Sequence, residues 1–89
     1  MAFPSRYKGR AEAWMEKLVR TTRIDGDFEG WDPRVAYELA DGSKWRLTKP
    51  RSTRLIRHMP RVKIWKNKKS IHFMEVEGIR EKAEVTQVT

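Results

Sequence analysis

The residues with reactive side chains in this 89-residue chain are few: His58 and His72 are the only histidines, and there is no cysteine. That absence removes disulfides, thiolate-bound metals and thiol nucleophiles together. Two imidazoles from separate segments are too few for a zinc site, and no G-x-S-x-G nucleophile motif occurs. His72 near Glu75 is the one pairing that suggests general acid–base work, as in a nuclease. The rest of an active-site constellation is missing, so the chain reads as a binder without cofactor or metal, not an enzyme. Asp25, Asp27, Glu29 and Asp32 lack the ligand ladder and closing glutamate of a calcium loop and read as a solvated strand face.

Charge carries more information. Lys and Arg outnumber Asp and Glu by 20 to 12, a net charge of +8, which biases the protein toward polyanions or acidic partners. Residues 44–69 hold eleven of these cations and no carboxylate. Arg51, Arg54, Arg57 and Arg61 recur every three or four residues and share a face if the segment is helical. Lys63 extends the row along a strand, with Trp65 on the same strand face. Cations around an aromatic neutralise phosphates while stacking bases, and arginine suits bidentate phosphate contact. The nucleic-acid-binding set is therefore Arg46, Lys49, Arg51, Arg54, Arg57, Arg61, Lys63, Trp65, Lys66, Lys68 and Lys69. Two other readings use the same charges. One is a protein-interaction module, an accessory or phage-type inhibitor, docking its basic face on an acidic partner. The other is a solvated surface paired internally with residues 24–43, which carry six acidic residues against one basic.

The elements that must position these residues follow from periodicity. Tyr7, Ala11, Trp14, Met15 and Leu18 line one face of a helix over about residues 6–20, with Ser5 as its N-cap. From Thr21 the period changes to two. Ile24 to Phe28 and Val35 to Leu39 alternate, and Asp41-Gly42 suits a tight primed hairpin turn that brings Trp45 and Leu47 onto the return strand. Residues 48–60 form a loop or one short helix anchored by Leu55, Ile56 and Met59. Strands with Val62 and Ile64, then 71–76, then about 83–88 complete the set. Trp14, Trp31 and Trp45 are read as core.

The order Ile24-x-Gly26-x-Phe28-x-Gly30-Trp31, Leu39-x-Asp41-Gly42-x-x-Trp45, Pro60-x-Val62-x-Ile64, Phe73-Met74-x-Val76-x-Gly78 resembles a group of small bacterial proteins with no known activity. The resemblance covers residues 24–88 and implies a small barrel. The expected fold is thus mainly β, one structural domain: an N-terminal helix (1–21) docked on a five- to six-stranded antiparallel SH3-like barrel (22–89), with an OB-like barrel as the alternative. No run of five apolar residues occurs, which predicts a cytoplasmic protein without a membrane span, as a monomer or homodimer.

Overall fold

The computed structural model describes residues 16–89. Most of the expected helix, including Tyr7, Ala11, Trp14 and Met15, lies outside the described residues. Eight strands follow in chain order: β1 (Lys17–Arg23), β2 (Asp27–Phe28), β3 (Tyr37–Glu38), β4 (Lys44–Leu47), β5 (Arg57–His58), β6 (Arg61–Lys66), β7 (His72–Val76) and β8 (Ala83–Gln87). Residues 17–20, expected as the last turn of the helix, are instead the start of β1. Val19, Thr21 and Thr22 are β-branched and fit a pleated surface better than a helix, and pairing with β6 supplies that surface.

Six strands form one antiparallel sheet in the order β1-β6-β7-β8-β4-β3, and β2 pairs with β5 in a separate two-stranded sheet. The sheet curls until its two edges touch at a single bridge between Ile24 and Leu39. There the Asp25 N–H donates to the Glu38 carbonyl at 2.9 Å and the Ala40 N–H to the Arg23 carbonyl at 2.8 Å. The expected closed barrel, SH3-like or OB-like, is therefore not formed: β3 has two residues, too few to pair along the length of β1.

The inner face of the curl holds the core. Val62 and Ile64 of β6, Met74 and Val76 of β7, and Ala83 and Val85 of β8 are buried with Trp31 and Trp45, both of which are core as expected. Phe28, Trp31 and Tyr37 pack edge to face or tilted at ring-centroid distances of 5.1–5.7 Å, a favoured aromatic geometry. The Trp45 indole N–H donates to Ser43 Oγ at 2.9 Å, so this buried donor is satisfied.

Three local expectations are corrected. Asp25-Gly26 is a turn with Gly26 at φ 108°, so the run from Ile24 to Phe28 is not one strand. The hairpin forms, but its turn is centred on Ala40-Asp41: the Gly42 N–H bonds to the Leu39 carbonyl at 2.9 Å, and only Gly42 is left-handed, at φ 92°. That is a type I turn closed by a glycine bulge, which spares Asp41 the positive φ a primed turn demands. Residues 49–56 are an irregular loop, one of the two forms expected, but Ile56, at 68% exposure, and Met59 face solvent and do not anchor it. The loop is held through Thr53, whose N–H donates to the Trp31 carbonyl and whose Oγ1 accepts from the Trp31 N–H, both at 3.2 Å. Gly30 makes this possible, because a Cβ there would fall 1.9 Å from the Thr53 oxygen.

Candidate nucleic-acid interface

Antiparallel register decides which charges meet, because directly opposed residues project from the same face. On the outer face of β1, β6 and β7, one row is Thr21, Lys63, Glu75 and the next is Arg23, Arg61, followed by Glu77, whose Oε1 accepts from the Arg61 N–H at 3.1 Å. Each of these cationic rows ends on a carboxylate. A third row, at the opposite end of β6 and on the inner side, is Lys17, Lys66, His72. It contains no carboxylate, and its continuation on β8 is Val85.

Around this row the cations accumulate. Between Leu18 and Arg20 the register of β1 shifts by one residue, a bulge at Val19 that turns Arg20 toward the inner face. Arg20 Nη1 contacts Asp41 Oδ2 at 2.6 Å, and the guanidinium lies 5.8 Å from the Trp45 ring centroid. The His72 ring lies 5.1 Å from the same indole. Burial first, then the neighbouring Lys66 and Arg20 charges, hold His72 below the ordinary imidazole pKa, because each disfavours the cation. Asp41 is pulled down to about 2, chiefly by its hydrogen bond from Ser43 and further by Arg20. Its oxygens are thereby engaged and do not neutralise Lys17 or Lys66.

The turn after β6 presents two more lysines. The Ser70 N–H donates to the Asn67 carbonyl at 3.0 Å, and Asn67 Oδ1 accepts from the Lys69 and Ile71 N–H groups at 2.9 and 3.0 Å. Lys68 and Lys69 therefore occupy the two central, exposed positions of the turn.

The residues expected to form one basic surface separate into two groups. Lys66, Lys68 and Lys69 lie together at this end. Arg61 opens β6 roughly 17 Å away, at about 3.3 Å per residue, and the arginines of the loop are spread over other surroundings. Lys49 pairs with Glu84 at 3.5 Å, and Arg51 pairs with Glu81 while donating to the Lys82 carbonyl at 3.1 Å. Arg57 lies over Gly78, its Nε 2.8 Å from where a Cβ would be. Arg54 lines a groove of about 650 Å³ that also holds Asp25, Asp27 and Glu29. Arg46 is exposed on the outer face opposite Thr86. Carboxylate contacts of residues 44–69 involve residues 75–84 and, from 24–43, Asp27 with His58 at 2.7 Å.

Trp65 is half-buried. Its indole N–H donates to Glu75 Oε1 at 2.9 Å, and Lys82 Nζ sits 4.5 Å from its ring centroid. Lys82 is held in turn by Glu16 at 2.6 Å. A base stacking there has to displace this lysine.

Lys17 and Arg20 were assigned to the helix by periodicity and so escaped the expected site. The signal that locates them is the β-branched cluster of residues 19–22, which marks a strand that pairs with β6. Among the described residues no cluster of three metal-ligating side chains occurs, and no helix is long and apolar enough to cross a membrane. No family model, no curated protein and no solved structure matches this chain.

Proposed function

We propose that the protein is a nucleic-acid-binding module that contacts the phosphate backbone through the end of the sheet bearing Lys17, Lys66, Lys68 and Lys69. The observation that carries this reading is the Lys17–Lys66–His72 row. Like charges directly opposed across a strand pair cost stability, and this row, unlike the two on the outer face, includes no carboxylate to offset the cost. An anion from outside the chain supplies what is missing, and a polyphosphate backbone meets several lysines at once.

The arginines of residues 51–61 are secondary in this reading, since carboxylates and backbone carbonyls already occupy part of their surroundings. Trp65 adds a stacking contribution only when a base replaces Lys82 on its ring. Four neutralised phosphates give a slope of log affinity against log salt of roughly −3 to −4. Titration of a labelled oligonucleotide at several salt concentrations measures it. Lys17→Gln with Lys66→Gln is expected to flatten that slope by about two and to weaken binding at low salt. Arg51→Gln with Arg54→Gln is expected to change it far less. An equal loss from both pairs places the interface elsewhere.

The second reading, a basic face docked on an acidic protein, rests on the same uncompensated row. A poly-glutamate of equal charge separates the two: competition equal to that of the oligonucleotide favours the protein partner, and weak competition favours phosphate.

A further inference from the structure

The Lys17–Lys66–His72 row differs from the lysine turn beside it in one respect: its third member is an imidazole, which can gain a proton when an anion is seated beside it. His72 is closely surrounded. Lys66 stands directly opposite on β6, with Lys17 beyond it on β1. Val85 is its partner on β8, and the Trp45 ring of β4 lies against it. Arg20 reaches toward the same indole from β1. Asp41, the carboxylate near this group, is bound to Arg20 and Ser43. Among the described residues, none of these neighbours favours an imidazolium in the free protein.

We propose that the Lys66–His72 pair of this row is a seat for one backbone phosphate and that His72 takes up a proton from solvent when the phosphate is seated, so that acidification strengthens binding; the inference rests on the polyanion interface above. A phosphate between Lys66 and His72 reverses the local field. The two cations that repel a proton from the imidazole are then screened by an adjacent anion, and the protonated ring gains a charged acceptor. Proton uptake and phosphate affinity are linked reciprocally: whatever raises the pKa of His72 on binding raises the affinity as pH falls. Burial and the neighbouring cations lower the His72 pKa in the free protein, which favours the neutral ring and leaves it a proton to gain.

The test uses the full chain and a short oligothymidylate at constant low salt, between about pH 5.5 and pH 8. Affinity is expected to rise on acidification, by up to about tenfold for each unit by which seating raises the His72 pKa. The His72 ring-proton resonance should titrate with a higher midpoint when the oligonucleotide is present. His72→Gln is expected to bind with an affinity that no longer varies with pH over this range. Retention of the full pH dependence in His72→Gln assigns the proton to another group and overturns the inference, as does a His72 midpoint that the oligonucleotide leaves unmoved. The resonance experiment needs no variant, so a poorly folded His72→Gln does not block the test. Binding that is salt-sensitive but independent of pH removes this inference and leaves the interface standing. Absence of binding at every pH removes both.

Discussion

At the scale of single residues, backbone conformation sets where the lysines point. Ser70 closes the turn after β6 at φ 65°, a left-handed conformation that costs an L-residue roughly 1–2 kcal/mol and that glycine adopts freely. Gly42 holds the equivalent place in the hairpin before β4, where the sequence does supply a glycine. The Ser70 N–H bond to Asn67 is made by the backbone and survives substitution. Ser70→Gly is therefore expected to stabilise the protein by up to about 1 kcal/mol, after the greater freedom of glycine in the unfolded chain is deducted. In a domain of this size that raises the midpoint of thermal unfolding by about 4–8 °C. A lower midpoint shows that the Ser70 side chain has a role of its own.

At the scale of elements, the pairing of β1, β6 and β7 distributes charge by register and not by proximity in sequence. Arg23 and Arg61 are directly opposed, and Glu77 joins them through the Arg61 N–H. Removing that carboxylate makes this row resemble Lys17–Lys66–His72. Glu77→Gln is expected to destabilise the domain by about 0.5 kcal/mol, more at low salt, and to strengthen oligonucleotide binding. Denaturant unfolding and the binding titration check the two effects independently. The bulge at Val19 belongs to the same scale. It places an extra residue in β1, leaves Leu18 and Val19 exposed, and reverses the side on which Arg20 projects.

At the scale of the whole molecule, a net charge of +8 is divided unequally. At one end Lys17 and Lys66 stand in a row that contains no carboxylate, while elsewhere cations and carboxylates meet in ion pairs such as Lys49 with Glu84 and Arg51 with Glu81. An anion that occupies the lysine end binds the folded state alone and stabilises it by mass action. Inorganic phosphate is thus expected to raise the unfolding midpoint more than sodium chloride at the same ionic strength, and Lys17→Gln with Lys66→Gln should reduce the difference to the general stabilisation by an excluded salt. Identical midpoints in the two salts place no anion seat on the folded protein.

Periodicity and turn residues in the sequence determined the strands of residues 61–66, 72–76 and 83–87, the hairpin before Trp45 and the core roles of Trp31 and Trp45, because period-two burial and glycine turns are local effects. The same local logic misplaced residues 17–20, where the apolar stripe ending at Leu18 also fits a helix and the β-branched run of residues 19–22 is satisfied only by pairing with β6. Composition located an excess of cations in residues 44–69 and no carboxylate among them. Which cations meet a carboxylate is a property of tertiary register, since Glu75, Glu77, Glu81 and Glu84 come from a later segment and stand against Lys63, Arg61, Arg51 and Lys49, whereas the row of Lys66 holds none of them. Charge is counted along the chain, whereas electrostatic energy depends on distance, and only the folded sheet sets the distances.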